Sequence, residues 1–293
     1  MSINTPQHYV KQYADTIQLL LQQKDSRLAG SVSSGSYIGE QASPVDQIGA
    51  ISMQAVSGRF NPMGRVDATL DRRWVSPQDF QLPQLLDKFD KLRLLIDPES
   101  AYVQNAVQAA NRQKDDLIIE AFFADAKTGK TGTGTTSFPA GQVIAVNEGS
   151  SGNSGLTVAK LRAAVKILME SEVDLSEPIF CPITAKQHDD LLAEAQINSK
   201  DFNNEAVLVE GKVKRFMGVN FIHTERLAVD GSSHRRVPLY VPSGMHYGTW
   251  NEITTDISQR KDLEGLPWQA YLYMTGGATR VEEKKVIEIK CAE

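Results

Sequence analysis

DPESAYVQNAVQAANRQKDDLIIEAFFADA, residues 97–126, is the stretch whose reading decides the fold. Asp97 suits an N-cap, Pro98 the first helical position, and Glu99 puts negative charge where the helix dipole favours it. Apolar residues then recur at helical spacing: Tyr102, Val103, Ala106, Val107, Ala110, Leu117, Ile118, Ala121 and Phe122. The pattern predicts one helix from Asp97 to about Lys127, with Gly129 as its stop. At about 1.5 Å per residue the rod is roughly 40 Å long, well above the usual three or four turns. Such a rod suits a scaffold better than an enzyme cleft.

Around the rod the chain is ordinary globular material. Its 293 residues can hold one large domain or two modest ones, and 41% hydrophobic with 23% charged residues excludes a disordered or fibrous class. A net charge of −5 argues against a dedicated DNA-binding protein, because phosphate contact needs an exposed basic surface. It is compatible with a wall that surrounds nucleic acid without sticking to it. Cys181 and Cys291 are too few for a disulfide framework, and no zinc-ligand spacing occurs. MSINTPQHYV lacks the layout of a secretion signal, and no apolar run approaches a membrane span. The expectation is a protein made in a reducing cytoplasm, with no membrane partner.

Upstream of the rod, residues 6–28 read as an amphipathic helix with Thr5 as N-cap and Tyr9, Tyr13, Ile17, Leu20 and Leu21 on its apolar stripe. Residues 30–96 read as a long surface excursion, with short strand-like pieces broken by Pro62, Pro77 and Pro83. Arg59, Arg65, Arg72 and Arg73 interleave there with Asp67, Asp71 and Asp79, beside Trp74 and Phe80, as suits a limb lying across other chains. Loops of this length are usually functional or disordered.

Downstream, TGKTGTGTTSFPAGQVIAVNEGSSGNSG (128–155) reads as a hairpin or mobile loop with one apolar run at Val143–Val146. A helix is predicted from Thr157 to about Glu172, a buried strand over PIFCPI (178–183), and a helix from the Thr184/Gln187 capping box to about Gln196. Strands follow at Ala206–Val209, Val213–Phe216, Val219–Thr224, Val237–Val241, Trp268–Met274 and Val286–Cys291, with Gly276–Gly277 between two extended segments. The class is α+β.

No chemical constellation stands out. Ala124, Gly129, Lys130 and Thr131 fit a relaxed phosphate-loop pattern, but that loop must leave a strand and open a helix, and here a helix leads in. Asp189 and Asp190 adjoin His188 on one predicted helix, where neighbours point different ways and cannot all face a metal. His8, His223, His234 and His246 show no ligand spacing, and His223 reads as a satisfied sheet residue. Cys181 reads as a small core residue. No catalytic, cofactor-binding or metal-binding residues are assigned.

The order of parts, with RRWVSPQDFQLPQLLDKFDKLRLLIDPES (72–100) before the rod and KRFMGVNFIHTERL (214–227) later, resembles major capsid proteins of tailed bacteriophages with the Hong Kong 97-type fold. The resemblance implies an N-terminal arm (1–44), an extended loop (45–90), a peripheral domain (91–174) around a spine helix (about 98–127), an axial domain (175–275), and a C-terminal strand (276–293) returning to the peripheral domain. It implies a non-enzymatic subunit that self-assembles into hexamers and pentamers of an icosahedral head enclosing double-stranded DNA. The implied partners are copies of itself, a separate scaffolding protein, a portal, head-decoration proteins and DNA held non-specifically, with assembly in the host cytoplasm and residence in the virion.

Two departures from some relatives are visible. The scaffolding segment of about a hundred residues that some relatives carry ahead of the arm is not expected here, which by analogy implies a separate scaffolding protein or none. Val45 to Leu86 also holds no Lys for isopeptide cross-linking. Arg59, Arg65, Arg72, Arg73 and Trp74 are the expected intersubunit contacts, and deleting 57–76 is expected to leave a folded but unassembled subunit. An encapsulin-type nanocompartment shell is the alternative on the same fold. An α+β nucleotide-binding protein or enzyme using Lys130 is the alternative of another class.

Overall fold

The computed structural model describes residues 22–55, 58, 64–86, 99–194, 208–209 and 212–293. Along the chain these form β1 (Ser33–Ser36), β2 (Ala42–Ile48), β3 (Leu70–Val75), β4 (Gln78–Leu86), helix α1 (Glu99–Phe123), β5 (Ala126–Thr128), β6 (Gly134–Thr136) and β7 (Val143–Ile144). Then come helix α2 (Val158–Glu170), β8 (Ile179–Ile183), helix α3 (Ala185–Ala193), β9 (Leu208–Val209), β10 (Lys212–Val213), β11 (Arg215–Phe216), β12 (Val219–His223) and β13 (His234–Tyr240). The last three are β14 (Met245–Gln259), β15 (Trp268–Arg280) and β16 (Val286–Ala292).

The chain divides into two units, each discontinuous in sequence. One comprises Met1–Ser26, Asp79–Gln113 and Asn251–Thr275. Its core is Ala106 and Ala110 of α1 against Leu272 and Met274 of β15, flanked by Phe80, Leu82, Val107 and Ile253. Small residues on α1 let the sheet approach closely, while alternation along β15 turns Ala270, Leu272 and Met274 inward and leaves Tyr273 exposed. Gln22 and Lys24 lie along the same helix: Gln22 Nε2 donates to Asn105 (3.0 Å), Arg112 donates to Gln22 (2.7 Å), and Asn111 donates to the Lys24 carbonyl (3.2 Å).

The other unit comprises Arg27–Gln78, Lys114–Trp250 and Gly276–Glu293. Its centre is a six-stranded sheet in the order β11-β12-β8-β13-β16-β7. The C-terminal strand β16 is interior to this sheet, antiparallel to β13 from His234↔Ala292 to Tyr240↔Val286 and parallel to β7. Val237, Leu239, Val286, Ile287 and Ile289 are fully buried, as a near-continuous apolar strand pair requires. Helix α2 packs on β7 and β16 through Leu161, Ala164, Val165 and Leu168, and α3 packs on β8. Thr157 caps α2 by accepting from the Lys160 amide (3.3 Å). The last turns of α1 bring Leu117, Ile118 and Phe122 into this core, with the Phe122 ring 4.6 Å from Tyr240. Each large aliphatic side chain buried here contributes about 1.5–3 kcal/mol.

A second sheet, β2-β3-β5-β6, is antiparallel throughout. It lies in residues largely read as loop. Of the β5–β6 hairpin, Thr128 and β6 fall in the stretch read as a hairpin or mobile loop, while Ala126 and Lys127 fall in the predicted helix. β1 pairs parallel with the start of β14, from Ser33↔His246 to Ser36↔Thr249.

Several expectations are corrected. The long helix ends at Phe123 rather than Lys127, because Ala126–Thr128 pairs with β3 and β6 and Arg280 covers the last carbonyls. Residues 22–28 are irregular, since the Arg27 and Leu28 amides donate to Asp115 instead of a helical ladder. Gly276–Gly277 lie inside β15, where a Cβ on Gly277 would come 2.3 Å from the Ser76 carbonyl and one on Gly276 2.5 Å from the Tyr247 hydroxyl. The 213–216 run is two short strands, each in its own hairpin; Met217 and Gly218 turn the second with positive φ at both positions. Residues 6–21 of the predicted first helix, the caps Asp97 and Pro98, residues 195–196 of the capping-box helix and Arg59 lie outside the described residues.

Candidate assembly surface

Gly129, His188, Asp190 and His223, each beside or within a pattern that could have supported chemistry, are engaged in structural bonds. The Gly129 amide, the heart of any phosphate loop near Lys130, donates to Asp71 (3.2 Å), so a carboxylate stands where a phosphate would sit. His188 Nε2 accepts from the Val213 amide (3.3 Å), whereas Asp190 pairs with Lys186 (2.8 Å) and takes the Leu156 amide (3.2 Å). His188 and Asp190 therefore serve different contacts. In a cleft of about 700 Å³ lined by Arg27, Ile183, His188, Val213, Lys214 and His223 among others, both histidines and Arg27 are similarly occupied. Arg27 donates to the His223 ring (3.0 Å) and carbonyl (2.5 Å), and Glu225 lies 2.9 Å from His223 Nε2. His223 is thus a bonded strand-end residue.

Burial pushes the Cys181 thiol well above its ordinary range and that of Cys291 up to about 12, which keeps both as thiols rather than nucleophilic thiolates. Among the described residues no group of three or more His, Cys, Asp or Glu is arranged to hold a metal ion.

What does project is the β2–β3 ribbon. Its ladder runs from Ala42↔Val75 to Ile48↔Leu70 with a bulge between Ala42 and Val45, and is closed beyond by Gly49 N–H to Thr69 O (2.7 Å). At the far end Ile48, Leu70, Ile51 and Met53 are 73%, 77%, 64% and 101% exposed. Exposed apolar side chains of this size make the end of the ribbon a candidate interaction surface.

The arginines here divide by strand parity. On one side of β3, Arg72 bonds Asp46, its directly opposite partner, through Nε (2.5 Å) and Nη2 (3.0 Å), and its guanidinium lies 5.7 Å from the Trp74 ring. Trp74 is half-buried and donates Nε1–H to the Gly129 carbonyl (2.7 Å). The arginine holds the Asp46 carboxyl below its usual range. Among the described residues Arg65 pairs with Asp67 alone (2.8 Å), and both are strongly exposed. On the other side Arg73 is buried beside Val75. It reaches Asp71 (2.8 Å), both oxygens of Glu283 (3.0 and 2.9 Å) and the Val281 carbonyl (3.0 Å). Gln47 donates to the same carbonyl (2.6 Å). Arg73 therefore roots the ribbon on the C-terminal segment of its own chain.

The N-terminal segment is rooted by a residue the sequence reading passed over. Asp115 is fully buried and accepts the Arg27 (3.0 Å) and Leu28 (3.2 Å) amides. The signal was present: Asp115 sits three and seven residues before Ile118 and Phe122, a carboxylate on the buried face of the helix. Ser31 adds hydrogen bonds to the Leu28 carbonyl (2.7 Å) and to the Tyr240 hydroxyl.

A model of the phage capsid protein family matches residues 5–293. No curated protein matches the chain. Among solved structures, the capsid of cyanophage P-SCSP1u is 15% identical, covering 98% of this chain and 94% of that one with a TM-score of 0.75. The cyanophage Pam1 capsid is 13% identical over 96% of each chain, also with a TM-score of 0.75. A Mycobacterium phage Che8 structure is 14% identical, covering 95% and 96%, with a TM-score of 0.71.

Proposed function

Since the chain belongs to the phage capsid protein family and is a structural subunit of a virion shell rather than an enzyme, we propose that the β2–β3 ribbon is the limb by which one subunit grips the next. The supporting observation is the pairing of a buried intrachain root, Arg73 with Glu283, and an exposed apolar tip, Ile48 with Leu70. On this reading the subunits close into hexamers and pentamers of an icosahedral Hong Kong 97-type head around double-stranded DNA. Residues 1–44 form the arm and 45–90 the extended loop. In place of the bounds 91–174, 175–275 and 276–293 that the resemblance implies, the spine helix with the 251–275 parts of β14 and β15 serves as the peripheral domain, and the six-stranded sheet, β16 included, forms the axial domain.

Arg59, Arg65, Arg72 and Trp74 meet the neighbouring subunit, with mixed charge setting register more than affinity. Arg73 acts from within by positioning the ribbon. Each contact is modest, and shell closure multiplies them. A separate scaffolding protein, a portal and decoration proteins complete the partners. Genome contact is non-specific, and assembly takes place in the host cytoplasm.

The deletion of 57–76 does not test this, because it removes β3, which is paired on both sides, and with it Arg73 and Val75. The informative variant replaces residues 50–68 with a short Gly-Ser bridge between Gly49 and Thr69, whose backbones already touch (2.7 Å). Electron microscopy of the purified protein should show closed shells for the wild type and folded, unassembled subunits for the variant. Closed shells at wild-type yield from the variant would overturn the assignment.

A further inference from the structure

The first strand is fastened by a histidine that has no ionic partner among the described residues. His246 is 7% exposed and lies opposite Ser33 in the parallel β1–β14 pair. Hydroxyls engage both ring nitrogens: Ser33 Oγ is 2.9 Å from Nδ1 and the Tyr37 oxygen is 2.8 Å from Nε2. The Ser33 hydroxyl donates its one proton to the Met245 carbonyl (2.6 Å). It can therefore only accept at Nδ1, so the neutral ring carries its proton there, and Nε2 accepts from the Tyr37 O–H. In the neutral ring every donor meets an acceptor.

The Tyr37 ring roofs this arrangement. It lies edge-on to His246 at 5.7 Å and 5.4 Å from Trp250. It also sits close over backbone: a Cβ on Gly35 would be 2.9 Å from the Tyr37 hydroxyl, and one on Gly248 3.1 Å from its ring. The Tyr37 amide donates to the Thr249 carbonyl (2.9 Å), carrying the ladder one residue past β1.

We propose that His246, Ser33 and Tyr37 form a proton-operated latch, in which a proton taken up at His246 Nε2 reverses the bond to Tyr37, places a charge at a buried site, and frees residues Ser33–Tyr37 from β14 so that water can reach it. A doubly protonated ring has two donors, so the Tyr37 hydroxyl must turn and accept from Nε2–H instead of donating, and a charge is buried with, among the described residues, no carboxylate opposite it. β1 carries no charged residue. Among the described residues no carboxylate pairs with His246. The titratable groups nearby are Tyr37 itself and Tyr247, whose hydroxyl is directed to Gly276.

Burial holds the His246 pKa below its ordinary 6.5. The sign follows: above 6.5 the ring is neutral and the latch closed. Closure is lost as pH falls below 6.5 through the folded value. The released segment stays tethered, by Leu28 and Ser31 on one side and the Ala42↔Val75 pair on the other, so opening is local rather than global.

Hydrogen exchange of the full-length chain from about pH 7.5 to about 4.5, corrected for intrinsic rates and read on peptides covering 32–38, tests this. Exchange there should accelerate about threefold or more on acidification in the wild type, while β13 and β16 stay protected. The variant His246→Gln, which can donate and accept but not charge, should show no step. Flat wild-type protection, or an equal step in His246→Gln, would overturn the latch. Should that variant misfold, NMR titration of the His246 Cε1–H in the wild type decides: its midpoint must lie below 6.5 and coincide with the exchange step. A midpoint at or above 6.5, or one that misses the step, overturns the proposal.

Discussion

Arg72 and Arg73 are adjacent in sequence and should fail in opposite ways. In Arg73→Met a side chain 5% exposed is lost from between Asp71 and Glu283, whose side chains are 43% and 18% exposed. Removing one partner from a fully buried pair costs about 3–5 kcal/mol. Here water reaches both carboxylates in part, Asp71 keeps the Arg72 and Gly129 amides (2.8 and 3.2 Å), and Glu283 keeps Arg280 at 3.8 Å, so the expected loss is about 2–3 kcal/mol, or about 4–12 °C in melting temperature for a chain of this size. The Val281 carbonyl also loses its Arg73 donor but keeps Gln47 (2.6 Å).

Urea unfolding of the unassembled subunit, followed by far-UV circular dichroism, measures the loss. A double variant that adds Glu283→Gln should recover part of it, because the stranded charge is then removed. A loss below about 1 kcal/mol, or no recovery in the double variant, would refute the view that Arg73 holds the ribbon from inside. Arg72→Ala removes an exposed pair with Asp46, 41% and 63% exposed, and should leave the unfolding midpoint unchanged while lowering shell yield.

Asp115→Ala strands the Arg27 and Leu28 amides and should cost about 1–3 kcal/mol, with faster tryptic cleavage after Arg27 as the local readout. Arg280 is fully buried and donates to the carbonyls of Phe122 (2.9 Å), Ala124 (2.9 Å) and Thr136 (3.2 Å). Arg280→Met should therefore lower the urea midpoint by about 3 kcal/mol in stability, and Arg280→Lys should restore only part because an ammonium lacks the planar fork. Hydrogen bonds from Arg235 lower the Glu293 pKa against opposing burial, so its contribution is present above its ordinary 4.5 and lost as pH falls through the folded value. The wild-type advantage over Glu293→Gln in urea midpoint should accordingly shrink below pH 4.5 and persist at pH 7.

The helices were legible because their signals are local. The apolar spacing of 103–122 marks α1, Thr157 caps α2, and the Thr184/Gln187 capping box opens α3 as read. The end of α1 was not legible, since it is fixed by Arg280, a residue far along the chain, and by strand pairing of Ala126–Thr128. β1 and β3 escaped for the same reason. Ser33–Ser36 has no apolar alternation to read, and its partner begins at His246. β14 was missed because MHYGTWNEITTDISQ carries Gly, Asn and Asp that weaken strand propensity, and its neighbours in the sheet make good the deficit.

The arginine cluster shows how much a residue list leaves undecided. Composition places Arg65, Arg72 and Arg73 together as one charged surface, whereas a strand separates them by parity. Val75, 1% exposed, marks the inner face of β3, and Arg73 shares that face while Arg72 and Trp74 share the other. Once β3 is known to be a strand, the assignment follows from Val75 alone, but its pairing with β2 and β5 is what makes it a strand. The division has a mechanical consequence for a shell subunit. The ribbon must not depend on a neighbour to exist, so its root is satisfied within the chain by Glu283 and Val281. On the proposed reading its tip stays unsatisfied until a neighbour arrives, and Ile48 and Leu70 are 73% and 77% exposed in the single chain. One arginine in each environment lets folding and assembly be lost separately.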